Sequence, residues 1–210
     1  MIPAIFGLAG TRLTADERAF FREADPAGYI LFGRNCEGPD QLRALTDDLR
    51  SIHGRERLLV SIDQEGGRVA RLRPPLWVGY PAGQAFDVLY QIAPASAIEA
   101  ARVNAHAMAL ELSAMGITVD YHPPLDLRIP GAHDVIGDRC WAADPMQVAA
   151  LGRACWKGWR RGCDRLRQAH AWPWPHRCRH PQALPTSPSP AASWRPILRI
   201  SHAQSWHLSA

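Results

Sequence analysis

Hydrophobic and polar positions along residues 1–162 follow two alternating rhythms. Apolar runs with little polar interruption occur at "AIFGLAG" (Ala4–Gly10), "GYILFG" (Gly28–Gly33), "RLLVSID" (Arg57–Asp63) and "ITVDYHPPLDL" (Ile117–Leu127). Between them the spacing changes to three and four residues, as on one face of a helix. "ADERAFFREA" (Ala15–Ala24) follows Thr14, a capping residue, and carries acids in its first turn. "GPDQLRALTDDLRSIHG" (Gly38–Gly54) repeats Leu42, Leu45, Leu49 and Ile52 at helical spacing. A long helical pattern over Ala95–Met115 stops at Gly116, a natural C-terminal breaker. "DPMQVAALGRACWKGWRRG" (Asp144–Gly162) opens with Asp as cap and Pro in the first turn.

Strands that do not alternate are buried on both faces, and a helix after each one implies a parallel sheet. The pattern gives about four βα units. No glycine-rich dinucleotide or phosphate-binding fingerprint follows the first strand, which counts against a doubly wound nucleotide-binding sheet. The expected fold is α/β: an incomplete (β/α)8 TIM barrel over residues 1–162, with an irregular tail over 163–210 rich in Pro, Trp, His and Arg. Half a barrel leaves the first and fourth strands as open edges, so marginal stability and self-association through those edges are expected.

Composition narrows the partners. Residues 163–210 hold six of the 24 basic groups and one of the 20 acids, leaving 18 and 19 for residues 1–162. The basic character thus belongs to the tail, and residues 1–162 do not suggest a nucleic-acid-binding surface. No apolar run is long enough to span a membrane, and no basic, apolar and cleavage-site sequence opens the chain, so a cytoplasmic location is expected. The five cysteines are odd in number and scattered, which argues against a disulfide framework. Cys163, His170, His176, Cys178 and His180 are metal-capable types, but their spacings match no standard zinc pattern, and no metal or cofactor is expected.

In a parallel barrel the strand C-terminal ends carry the site. "SIDQEGGRVARL" (Ser61–Leu72) lies at such an end, and so do Asp120, His122 and Asp126. Asp63 would point into the mouth, Gly66 and Gly67 would let the backbone turn, and Arg68 and Arg71 would return toward the mouth. A carboxylate and a guanidinium facing one cavity suit a hydroxyl-rich ligand. An Asp–Arg ion pair that merely pins the loop fits the pattern equally well. Arg139 sits within the long rim loop "GAHDVIGDRCWAADP" (Gly131–Pro145) and could reach the same pocket.

"ILFGRN" (Ile30–Asn35), "IDQEGGRVARL" (Ile62–Leu72), "PPLDL" (Pro123–Leu127) and "IGDRCWAADP" (Ile136–Pro145) occur in an order and at separations that resemble glycoside hydrolase family 3. Within it they resemble the bacterial β-N-acetylhexosaminidases of the NagZ type, over about residues 3–162. The resemblance implies a (β/α)8 barrel that removes terminal β-linked N-acetylglucosamine from cell-wall fragments in the cytoplasm. It also implies substrate-binding roles for Asp63, Arg71 and Arg139. Asp126 corresponds to a family acid near the fourth strand, where a structural role serves equally.

Family members continue with a Lys-His-x-Pro-Gly-His-Gly loop and an Asp-x-His-Lys segment whose histidine is the general acid/base; an aspartate nucleophile follows much later. This chain carries "CDRLRQAHAWPWPHRCRHPQ" (Cys163–Gln182) there, with no match and no identifiable catalytic residue. Read one base later, Trp172-Pro173 and Trp174-Pro175 each give glycine with one residue between them, and the flanking codons permit the rest of the family signature at its spacing. The expectation is that residues from about Cys163 onward are out-of-frame and that this chain is inactive. A non-catalytic sugar-binding fragment and a basic-tailed interaction protein are the alternative classes.

Overall fold

The computed structural model describes residues 1–55, 57–129, 135–162 and 167–168. Among the described residues five strands, all parallel, lie side by side in chain order: β1 (Ile2–Gly7), β2 (Pro26–Leu31), β3 (Leu59–Ile62), β4 (Val119–Asp120) and β5 (Arg167–Gln168). The helices are α1 (Ala15–Ala24), α2 (Pro39–His53), α3 (Gly83–Ile92), α4 (Pro94–Ala114) and α5 (Pro145–Gly162). A sheet wound in one direction with a helix in each crossover is the arc of a barrel, and the chain forms an α/β fragment of one rather than a closed ring.

Local chemistry sets the element ends. Thr14 and Glu17 form a reciprocal capping box on α1. Gly54 closes α2 in the left-handed conformation, as its position after the apolar stripe requires. The Asp144 carboxylate accepts from the Gln147 amide at 2.7 Å and starts α5. Inside, Tyr29, Leu31, Val60 and Ile62 from the sheet meet Leu42, Leu45 and Leu49 of α2 and Met108 and Leu112 of α4, all essentially inaccessible to solvent. α4 and α5 pack so closely that a Cβ at Gly158 would lie 2.2 Å from the Arg102 carbonyl oxygen.

The structure departs from the sequence pattern in three places. α3 was not anticipated: no side chain caps its N-terminus, so the usual start signal is missing. The fourth strand is only two residues long. Thr118 Oγ1 takes the Val60 amide at 2.8 Å, and Pro123 and Pro124 just beyond the strand lack N–H groups for a ladder. The fourth strand is also not wholly open, because Val119 and Asp120 pair with Arg167 and Gln168. Those two residues fall within the stretch read as irregular tail; the remainder of that stretch lies outside the described residues, as do residues 130–134 of the rim. Among the described residues, the outer edge of β1 has no partner strand.

Candidate functional site

The residue after β3 is Asp63, and the three side chains Asp63, Gln64 and Glu65 go to three different tasks. Gln64, fully buried, ties the loop to itself. Its Oε1 accepts from the amides of Arg71 (2.8 Å) and Leu72 (3.0 Å), and its Nε2 donates to the Leu72 carbonyl (2.9 Å). Gly66 and Gly67 make the turn between, with φ of 89° and 56°, and a Cβ on Gly66 would lie 2.3 Å from the Pro81 carbonyl. Arg71 is thereby brought back over the strand end, where its Nη2 donates to Asp63 Oδ2 at 2.9 Å.

Glu65 reaches across to the rim segment after β4. Arg139, at the end of a short 3-10 turn (Gly137–Arg139), donates to it through Nε (2.7 Å) and Nη2 (2.6 Å), a two-pronged pair. Glu65 holds the Arg139 guanidinium charged more firmly than usual, with Asp126 and Asp63 adding to the effect. One ion pair joins Asp63 and Arg71, and the Asp63 charge acts on the Arg139 guanidinium. Burial pushes the Asp126 carboxyl up, and the Arg139 charge opposes that rise.

Three sequence expectations change. Arg68 does not return to the mouth with Arg71; it donates to Asp138 Oδ1 (2.7 Å) and to the Val135 and Ile136 carbonyls, clasping the rim segment. Asp120 and His122 stand behind the site, fully buried, rather than in it. His122 lies against Trp141 and Trp159, and burial pushes its pKa down to about 3. The role of Glu65 is not visible in the sequence, where no local signal joins it to an arginine 74 positions away.

Asp120 supports the site from beneath, its Oδ1 accepting from the Gln64 amide at 2.9 Å. Burial, with Asp63 and Glu65 nearby, drives its pKa well above the ordinary 3.8. An acid whose folded pKa is raised costs no stability below its unfolded value; the cost grows as pH climbs to the folded value and is constant beyond it. Asp120→Asn keeps the acceptor and removes the titration. It should therefore gain stability relative to the unmodified chain as pH rises from 4 to 8, measured by urea unfolding; a constant difference over that range would contradict this.

Among the described residues no cluster of His, Cys, Asp or Glu could hold a metal ion, and Cys36, Cys140 and Cys155 are free thiols. No helix among them is long and apolar enough to cross a membrane.

A parallel βα arc with acids and arginines gathered at its strand exits places the chain in the barrel class of α/β proteins. Residues 5–166 match the glycosyl hydrolase family 3 N terminal domain, and the chain belongs to that family. It is 38% identical over 156 residues to a beta-hexosaminidase of Bordetella avium, covering 74% of this chain and 44% of that protein. It is 40% identical over 160 residues to a beta-hexosaminidase of Alkalilimnicola ehrlichii, covering 76% and 44%. The crystal structure of NagZ from Neisseria gonorrhoeae in complex with N-trifluoroacetyl-D-glucosamine superimposes with a TM-score of 0.72 at 33% identity, covering 76% of this chain and 47% of that one. The chain thus spans less than half the length of these relatives.

Proposed function

We propose that residues 1–162 carry the sugar-binding wall of a glycosidase acting on terminal, non-reducing β-linked N-acetylglucosamine. Peptidoglycan fragments are the substrate class and the cytoplasm the setting. Asp63, Arg71 and Arg139 hold the sugar. The observation that carries this reading is the placing of Asp63 and two oriented guanidiniums at the exits of β3 and β4, where parallel barrels keep their sites. Asp63 has a second oxygen to accept a sugar hydroxyl while Arg71 holds the first. The beta-hexosaminidase relatives and the NagZ complex with a glucosamine derivative support the same assignment.

Hydrolysis with retention needs a nucleophilic carboxylate and a proton shuttle on opposite sides of the bond. The family resemblance makes the shuttle a histidine, and the sequence contains neither the Lys-His-x-Pro-Gly-His-Gly loop nor the Asp-x-His-Lys segment. The proposed consequence is a chain that binds N-acetylglucosamine without cleaving its glycosides. The tail is proposed to be out-of-frame, which the nucleotide sequence across codons 160–185 decides: a frame offering no shifted signature would end that idea.

Calorimetric titration of the full chain with N-acetylglucosamine, beside an assay with a chromogenic N-acetylglucosaminide, tests the reading. Binding without turnover is expected. Asp63→Asn should weaken binding about tenfold, the worth of one hydrogen bond to a charged acceptor. Equal affinity in that variant, or no binding by the unmodified chain, would overturn the assignment.

A further inference from the structure

We infer that Glu65 is a positioning residue that makes Arg139 a directional donor to uncharged oxygen, and so sets the site to prefer neutral hydroxyl- or amide-bearing sugars over anionic ones. This rests on the sugar-binding reading above and adds a basis for selectivity within it.

The two-pronged bond fixes the plane of the guanidinium and commits its Nε and Nη2 edge to Glu65, whose side chain is only 7% exposed. The Nη1 end makes no hydrogen bond to the described residues and is left for a ligand. The turn beneath is fixed as well: the Arg139 amide donates to the Ile136 carbonyl at 2.9 Å, and Arg68 holds Asp138 and the Val135 and Ile136 carbonyls. Arg139 therefore presents its remaining Nη1 and Nη2 N–H groups in one fixed direction, which suits hydroxyl or carbonyl oxygens placed there.

Charge leads to the same conclusion. A guanidinium binds carboxylate or phosphate best when its own charge is uncompensated and its fork is open. Here Glu65 occupies the side fork and matches the charge, and the carboxylates of Asp63 and Asp126 act on the same guanidinium, so the open Nη1–Nη2 end carries little uncompensated charge. Arg71 is already paired with Asp63. An anion approaching Nη1 would meet these acids before it found an unmatched cation, whereas a neutral acceptor pays no such repulsion. Removing the charge of Glu65 should turn Arg139 into an anion binder.

The test uses the full chain and inorganic phosphate as the anionic probe. Affinity for N-acetylglucosamine is measured by calorimetry with and without phosphate, and the Arg139 Nε–H resonance is followed in a phosphate titration. In the unmodified chain, phosphate should leave both unchanged. In Glu65→Gln, sugar affinity should fall about tenfold, phosphate should compete with the sugar, and the Nε–H signal should shift. Adding Arg139→Gln should cause little further loss and abolish the phosphate effect. Wild-type phosphate behaviour in Glu65→Gln would overturn the inference, as would a loss of equal size when Arg139 is already absent, which marks a loop staple. Should Glu65→Gln not fold, Arg139→Lys decides: it keeps the charge but cannot fill the fork, so sugar affinity must fall while melting is little changed. Absence of sugar binding in the unmodified chain would strike the parent reading, and the phosphate titration would still decide the role of Glu65.

Discussion

Acidification from pH 6.5 toward 3 should unfold the protein, with His122 as the largest single contributor. The ring is fully buried against Trp141 and Trp159, and its pKa falls from 6.5 to about 3. A base with a depressed folded pKa gives its full stability above the unfolded value and loses it as pH drops toward the folded one. At about 1.4 kcal/mol per pH unit, the loss over that window approaches about 5 kcal/mol, a large share of the stability of an ordinary domain. Asp25, held below the ordinary carboxylate range by the N-terminal amine and by Arg55, loses its contribution in the same direction. Asp120 opposes both, since its raised pKa makes protonation favourable in the folded state. Urea unfolding at half-unit pH steps should show a steep acid limb. His122→Asn, which has no proton to take up there, should flatten that limb even if it lowers stability near neutrality. An acid limb of unchanged slope in the variant would rule out His122 as its source.

Gly158→Ala should be among the most costly single-methyl changes. The added Cβ would lie 2.2 Å from the Arg102 carbonyl oxygen and 3.1 Å from the His106 amide nitrogen, all backbone of α4. No rotamer change relieves a clash with backbone, so the two helices must separate. The buried seam they share, including Ala101, Ala105, Cys155 and Trp159, would loosen with them. A loss of about 3 kcal/mol is expected, at the upper end for overpacking. Gly33→Ala, where an added Cβ meets nothing within 4 Å, serves as the control and should shift the midpoint little. Similar midpoints for the two variants would show that α4 and α5 can slide apart at little cost.

What could be read from the chain was whatever a few neighbouring residues decide together. The Thr14 cap of α1, the leucine stripe of α2 and the Asp144 cap of α5 appear in the structure at or within a residue of where the pattern placed them. Asp63 was legible as a candidate site residue because an apolar run ended on an acid at a strand exit. The helix α3 was not, because its N-terminus carries no capping side chain. The direction of Arg68 was hidden too. Two arginines three apart look equivalent in sequence, and only the fold puts Asp138 beside one and Asp63 beside the other. Burial of His122 likewise depends on Trp141 and Trp159, which arrive later in the chain. Glu65 and Arg139 meet only through the β3–β4 crossover, a relation that spacing does not encode.

The order of the strands bears on how the molecule is made. Each strand docks against the one synthesised just before it, so the arc can grow outward while the ribosome is still extending the chain. The loop after β3 leaves early, but its anchors come late. Asp120 must emerge before the Gln64 amide is held, and Arg139 later still before Glu65 finds its counterpart. During that interval the nascent polypeptide displays an unset turn, and the proposed sugar-binding wall takes shape only once Arg139 has emerged.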